Sequence, residues 1–188
     1  MKLLLYCTKG KPYLLREDLS EDLIFIGTNK DELVGNSLNG TIPCECDYEL
    51  EEIYLEEYDD YNDSIYSKTY YETKTLQEDD LCKQSCLNAD ELDDYLKDEN
   101  GKAIHIKNLK IFDKPKRLNE FTVYTRVNYT KEKRYTMQML NKAPQNMCYV
   151  WNEHNVKYVL ISIHPEWLCK ILNGEKKIEI RKKVLKEM

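Results

Sequence analysis

The chain has 188 residues, of which 41% are hydrophobic and 33% charged, as is usual for a globular protein with a buried core. This length favours one domain over two. The first apolar run covers only residues 3–7, which is too short for a signal peptide and for a membrane-spanning helix of about 20 apolar residues. We therefore expect no membrane partner.

The spacing of cysteine and histidine residues argues against a metal site. The seven cysteines lack the paired C-x-x-C spacing of zinc ligands, and the three histidines are scattered along the chain. We therefore predict no metal and no cofactor. An odd number of cysteines without a disulfide pattern is typical of reduced thiols, which indicates a cytoplasmic protein.

The net charge of −6 is unevenly distributed along the chain. Residues 45–99 carry 20 acidic and 4 basic side chains, a balance of −16, whereas the other residues together carry +10. Charge separation of this kind steers an anionic ligand to one surface, so we expect an acidic face and a basic face. The acidic segment is then either a solvated surface or a surface for a protein partner.

In the first half of the chain, short apolar or alternating runs predict strands at residues 2–8 and 40–50. Residues 51–80 are rich in Tyr, Asp and Glu without a sustained period, and we expect a loop or irregular helices there. Residues 86–97 predict a helix, because Asn88 can cap it and Glu91 follows at the spacing of a capping box.

Strand patterns dominate the second half. Residues 103–112 alternate as a strand would and are followed by a turn signal at 113–115, and residues 118–134 are β-prone enough for a hairpin or an excursion. Further strands are predicted at 148–151 and 158–163 from their β-branched and aromatic content.

After these strands, Pro165 opens a helix with an apolar stripe that includes Trp167, and Gly174 is placed to end it. Residues 177–181 then alternate again, which gives the order strand, helix, glycine, strand. Many short strands with few helices favour a mixed α+β barrel.

This last unit carries a family resemblance. The sequence ISIHPEW at 161–167, followed by ILNGEKKIEIR at 171–181, resembles the signature of the ASCH family in the PUA-like superfamily, a strand and a helix before G-x-K-x-x-E-x-R. Residues 101–118 resemble that family's histidine strand, and residues 142–150 resemble its closing strand. The resemblance implies a PUA-like mixed β-barrel with flanking helices.

We accordingly expect a single ASCH/PUA-like domain over residues 1–188. Residues 1–150 would form the barrel body with an acidic, Tyr-rich excursion at 45–99, and residues 157–188 would supply the signature strand-helix-strand. In the family the signature comes first, whereas here it follows the parts that it normally precedes.

Three arrangements accommodate this order. A circular permutant would bring residues 182–188 back toward Lys2 within a monomer, and a swapped homodimer would use the signature to complete the barrel of a second copy. The signature could also start a second domain, but its apolar stripe would then be exposed. We favour the permutant, in which residues 157–188 pack beside residues 2–9.

In the ASCH family the signature lines a cleft thought to take RNA or a nucleotide-like ligand, and the resemblance implies the same partner here. By the period of a strand, Lys177, Glu179 and Arg181 share one face, and Lys176 sits at the corner beside the helix cap. Arg181 offers a planar fork for phosphate, and Lys176 offers a point charge. The expected binding set also includes Thr8, Lys9, Lys11, His105 and Lys107. A surface ladder of salt bridges along the strand is the alternative interpretation.

Two other functions remain open. One ASCH branch removes the acetyl group from N4-acetylcytidine with a lysine at the position of Lys176, but Glu179 stands where that branch has threonine. Its carboxylate should raise the pKa of Lys176, whereas a catalytic lysine needs a lowered pKa. An amidohydrolase with Lys176 as catalytic residue is therefore the runner-up. The third hypothesis is a phage- or defence-related inhibitor that presents residues 45–99 to the basic site of a protein partner.

Overall fold

The structure is a computed structural model, and it describes residues 1–8, 13–14, 25–26, 38–59, 67–127 and 134–185. Within these ranges lie eleven β-strands and three α-helices. The strands are β1 (Lys2–Cys7), β2 (Tyr13–Leu14), β3 (Phe25–Ile26), β4 (Ile42–Asp59), β5 (Ser67–Glu72), β6 (Gly101–Lys116), β7 (Thr122–Val127), β8 (Arg134–Met139), β9 (Met147–Trp151), β10 (Lys157–Ile163) and β11 (Ile178–Arg181). The helices are α1 (Glu78–Ser85), α2 (Ala89–Leu96) and α3 (Pro165–Leu172), and a 3-10 turn covers Leu118–Glu120.

Nine of the strands form one mixed sheet. Their order is β11-β6-β4-β1-β10-β9-β7-β8, with β5 paired to β4, and the described strands at the two ends do not close on each other. The mixed α+β class is thus confirmed, whereas the predicted closed barrel is wrong for the described residues. A PUA-like identity of this sheet stays a prediction.

The chain divides into two compact units. Unit 1 comprises Met1–Asp47 and Asn108–Asn173, and unit 2 comprises Tyr48–Lys107 and Gly174–Met188. Strands β4 and β6 run through both units without a break. The prediction of a single domain over residues 1–188 stays a prediction.

In unit 1 the pairing of β1 with β10 is the central feature. The two strands are parallel, with Leu3 opposite Val159 and Leu5 opposite Ile161. Of the expected packing of residues 157–188 beside residues 2–9, the part that concerns the first strand, β10, is confirmed within one chain, whereas β11 pairs with β6 instead. A core on one side of this sheet contains Leu4, Tyr6, Ile42, Phe121, Leu140, Val150 and Leu160.

Helix α3 follows β10 as the sequence predicts. It begins at Pro165, whose missing N–H is no loss in the first turn, and it buries Leu168 and Ile171. Asn173 caps it, and Gly174 follows with a φ of 75°, the left-handed conformation that favours glycine.

In unit 2, α1 and α2 pack on one face of β4, β6 and β11. Their shared core contains Ile53, Tyr71, Leu81, Leu92, Leu96, Ala103, Ile178 and Ile180. The predicted capping box of α2 is confirmed: Glu91 donates its N–H to the Asn88 side chain at 2.8 Å, and the Asn88 N–H donates to the Glu91 carboxylate at 2.9 Å. None of the described helices is long and apolar enough to cross a membrane.

Two local predictions are wrong. The described residues between 51 and 80 are mainly regular structure, because β4 continues to Asp59, β5 covers Ser67–Glu72, and α1 begins at Glu78. Ile53 of β4 is buried although Glu51 and Glu52 precede it. The turn expected at 113–115 is also absent, since β6 continues to Lys116.

Candidate functional site

The G-x-K-x-x-E-x-R motif ends in β11, which pairs antiparallel with β6. Ile178 lies opposite His105 and Ile180 opposite Ala103, so these positions share the face covered by α1 and α2. Glu179 and Arg181 alternate with them and therefore take the other face. This agrees with the predicted common face of Glu179 and Arg181.

Lys176 precedes β11 and is anchored to the C-terminal end of α1. Its side chain is 3% exposed, and its ammonium donates to the backbone oxygen of Ser85 at 2.5 Å. The next residue, Lys177, donates its N–H to the oxygen of Gln84 at 2.8 Å, while its side chain is exposed. The last carbonyl groups of a helix have no partner within it, so the buried cation supplies one.

Glu179 connects Lys176 to Arg181. One carboxylate oxygen lies 3.4 Å from the Lys176 ammonium, and the other lies 2.9 Å from the Arg181 guanidinium. The Arg181 side chain is 17% exposed. We call Lys176, Glu179 and Arg181 the ionic line, because it leads from the buried end of α1 to a partly exposed guanidinium.

The environment of Lys176 changes its protonation. Burial lowers the pKa of this lysine below its ordinary value, although the nearby Glu179 and Cys86 act in the opposite direction. Glu179 acts to raise this pKa, as expected, but desolvation by burial is the larger effect and the net direction is downward. The neutral amine is accessible at a lower pH than in an exposed lysine.

Another predicted residue, His105, lies on the opposite side of the strand pair from Glu179. His105 donates from Nε2 to the Glu51 carboxylate at 2.9 Å, and Glu51 also accepts the N–H of Thr75 at 2.8 Å. Burial acts to raise the pKa of Glu51, but the hydrogen bonds from Thr75, His105 and Thr73 outweigh it and the pKa is lowered. The structure thus does not bring His105 to the ionic line.

The remaining predicted residues are Lys107, Thr8, Lys9 and Lys11. The Lys107 ammonium lies 2.6 Å from the Glu49 carboxylate. Thr8 belongs to unit 1 and donates its N–H to the oxygen of Ile163 at 2.9 Å, which extends the pairing of β1 with β10. Lys9 and Lys11 lie outside the described residues.

Along β4 the predicted acidic face is interrupted by ion pairs. This strand belongs to the acidic segment, but it neighbours β1 and β6, and its carboxylates pair with their cations. The pairs are Glu45 with Lys2, Glu49 with Lys107, Glu51 with His105 and Glu52 with Lys102. Opposite charges on adjacent strands stabilise their pairing, and this explains why a strand so acidic is tolerated.

Ser85 and Glu51 were not predicted as part of any site. The sequence contains a pattern that could have identified Glu51. Glu49 and Glu51 alternate with the same period as His105 and Lys107, as expected for two neighbouring strands of opposite charge. No sequence pattern could have identified Ser85, because it contributes a backbone oxygen, which every residue carries.

Comparison of the chain with protein-family models, with curated proteins and with solved structures gives no match. Among the residues that the structure describes, no group of three or more His, Cys, Asp or Glu side chains could hold a metal ion. Burial raises the pKa of the Cys7 and Cys46 thiols to about 12, which keeps them protonated and unreactive.

Proposed function

We propose that the chain is an RNA- or nucleotide-binding module of the ASCH type and that Arg181 is its phosphate contact. The observation that carries this proposal is the ionic line, a buried lysine and glutamate that end in a partly exposed guanidinium. Arginine pairs with phosphate through two parallel hydrogen bonds, so a fixed guanidinium is a selective anion site.

The cost of the ionic line supports a functional role. The desolvation cost of buried charges often exceeds their mutual attraction. Well-packed apolar residues would therefore stabilise the fold about as well as a buried ion pair does. Here the Ser85 oxygen fixes Lys176, Lys176 fixes Glu179, and Glu179 fixes Arg181. A side chain held through successive contacts is suited to orient a ligand.

Two further cations lie at the same end of β11. Lys102 is opposite Arg181 in the strand register, and Lys182 follows Arg181 in the chain. Lys102 pairs with Glu52 and Lys182 with Glu99, and both carboxylates are well exposed. Exposed ion pairs contribute at most about 1 kcal/mol, so phosphate can compete for these lysines.

The test is the affinity for a fluorescein-labelled oligouridine of about 12 nucleotides, measured by fluorescence anisotropy. Arg181→Ala should weaken binding about tenfold because a charge-assisted contact is lost, and Arg181→Lys should recover only part of it. Lys110→Ala is the matched control, because Lys110 is an exposed cation of β6 that has no place in the ionic line. Equal affinities of Arg181→Ala and the control would refute the assignment.

Amidohydrolase activity is the second candidate, and the lowered pKa of Lys176 favours it. A neutral amine can take a proton from water, so that the hydroxide adds to the acetyl carbon of N4-acetylcytidine. The C–N4 bond then breaks and cytidine leaves as N4 regains that proton, whereas an ammonium cannot act as this base. Acetate release should rise with pH as Lys176 loses its proton and should vanish in Lys176→Arg. A wild-type protein that releases no acetate rules the activity out.

The ion pairs of β4 reduce the number of carboxylates that an inhibitor could present to a protein partner, because the paired carboxylates already contact cations of the same chain. Exposed acidic residues of the helices include Asp79, Asp80, Asp90 and Asp94, and Glu56 of β4 is exposed as well. A protein partner with a basic site could therefore contact α1 and α2.

A further inference from the structure

The outer strands of unit 1 present an apolar surface to solvent. On β8, Tyr135, Met137 and Met139 alternate on one face, and Tyr124 of β7 lies opposite Met137 in the register. Tyr124 is 43% exposed and Tyr135 is 58% exposed, and both methionines are exposed to a similar degree. Large apolar side chains that cluster on a surface mark a binding site more often than isolated ones do.

Aromatic side chains continue this surface onto β9. Trp151 lies opposite Thr122 of β7, and its ring meets that of Tyr124 edge to face with centroids 4.6 Å apart. Tyr149 lies one strand period before Trp151 and therefore shares its face. We call Tyr124, Tyr135, Met137, Met139, Tyr149 and Trp151 the aromatic face.

A cation lies directly on the aromatic face. Lys157 of β10 is opposite Trp151 in the register, and its ammonium lies 3.8 Å from the centroid of the Tyr149 ring and 5.9 Å from that of Trp151. Such a cation is held by the ring electrons and stays next to any group that stacks on the rings.

The surrounding sequence is basic. Residues 121–157, which supply β7, β8, β9 and the first residue of β10, contain six basic and two acidic side chains, a balance of +4. Residues 45–99 have a balance of −16, so the segment that carries the aromatic face is the one suited to an anion. The ligand should therefore combine flat apolar groups with negative charge.

We infer that the aromatic face binds single-stranded nucleic acid, with bases stacked on its rings and phosphates beside Lys157. Exposed aromatic side chains on a sheet, flanked by cations, are how proteins hold unpaired bases with little sequence preference. This inference shares with the proposed function only the class of ligand, a nucleic acid. Its residues are different ones, and all of them lie in unit 1.

The test compares labelled oligouridine and oligothymidine of about 12 nucleotides by anisotropy, between about 50 and 200 mM salt. Tyr124→Ala combined with Tyr135→Ala should weaken both oligomers at least about tenfold. Lys157→Ala should reduce the slope of affinity against salt by about 1. The control is Tyr95→Ala, because Tyr95 is 40% exposed on α2 within the acidic segment. A preference for oligouridine would identify RNA as the ligand.

A second readout does not depend on the stability of the double variant. Bases that stack beside Trp151 should quench tryptophan fluorescence in the wild-type protein. Trp151→Phe should abolish this quenching, whereas Trp167→Phe should retain it.

The outcomes separate this inference from the proposed function. If Arg181→Ala weakens binding and the tyrosine variants do not, the aromatic face is not a nucleic-acid site and Arg181 is. If only the tyrosine variants weaken binding, the inference holds and the role of Arg181 is refuted. Absence of binding by the wild-type protein overturns both. Dimerisation that is lost in Met137→Lys, without binding of either oligomer, would make the face a protein interface and would also overturn the inference.

Discussion

Glu179 is the counter-ion of both Lys176 and Arg181, and it is buried between them. Replacing it by a neutral side chain leaves two cations in a poorly solvated region without a compensating charge. Removal of one partner from a buried ion pair typically costs about 3–5 kcal/mol. The ionic line is therefore sensitive at its centre, whatever ligand binds at its outer end.

We predict that Glu179→Gln lowers the free energy of unfolding by about 3 kcal/mol or more, as measured by urea denaturation. Glu153→Gln is the control, because Glu153 is an exposed carboxylate and its replacement should change stability by less than about 0.5 kcal/mol. Similar losses in the two variants would show that the carboxylate of Glu179 does not stabilise its neighbours.

The lowered pKa of Lys176 gives stability a defined dependence on pH. Between the folded-state pKa and the ordinary value of 10.5, the unfolded chain binds more protons than the folded one. The contribution of Lys176 to stability therefore rises as the pH increases through this range. Lys176→Met should abolish this rise.

The measurement is the free energy of unfolding of wild type minus that of Lys176→Met, followed as the pH rises toward 10.5. Taking the difference removes the contributions of cysteine and tyrosine residues, which both proteins share. Lys110→Met, which removes an exposed lysine of β6, should show no such difference. A wild-type curve parallel to that of Lys176→Met would mean that the lysine is not desolvated.

The residues of the site differ in how far the sequence predicts them. The common face of Glu179 and Arg181 follows from the period of two in a strand. The contact of Lys176 with Ser85 does not, because the two residues are 91 positions apart in the chain. The direction of the Lys176 pKa depends on burial, which a neighbouring charge in the sequence does not reveal.

Among the elements, α3 and β11 are joined by a segment in which Gly174 has a positive φ. A Cβ built on Gly174 would meet nothing within 4 Å, so substitution there changes the backbone preference alone. At Gly101, by contrast, a Cβ would lie 2.7 Å from Cδ2 of Leu96. The two glycines are thus required for different physical reasons.

We predict that Gly174→Ala lowers the free energy of unfolding by about 1–2 kcal/mol, the cost of the left-handed conformation for a residue with a Cβ. Gly174→Asn should lose less, because asparagine tolerates this conformation better. Equal losses for Ala and Asn in thermal denaturation would contradict the conformational explanation.

Element types were predictable where local patterns dominate. The capping box of α2 and Pro165 at the start of α3 depend on neighbours in sequence, and both were predicted correctly. Strand β4 was missed beyond residue 50 because carboxylates on both of its faces conceal the alternation. Those carboxylates are stabilised by cations of β1 and β6, which are distant in sequence.

At the scale of the whole molecule, strand pairing explains part of the unusual position of the signature at the end of the sequence. The first strand of the signature pairs with β1 in the same chain, whereas β11 pairs with β6. The signature is therefore divided between the two units, with β10 and α3 in unit 1 and β11 in unit 2. A closed barrel was predicted from the number of strands, but strand order depends on long-range pairing that local sequence does not encode.

We expect the two units to unfold together, because β4 and β6 run from one unit into the other without a break. Both tryptophans, Trp151 and Trp167, lie in unit 1, whereas Glu179 lies in unit 2. We predict that Glu179→Gln shifts the urea midpoint of tryptophan fluorescence as far as that of far-UV circular dichroism. If fluorescence keeps the wild-type midpoint while circular dichroism shows two transitions, the shared strands do not couple the units.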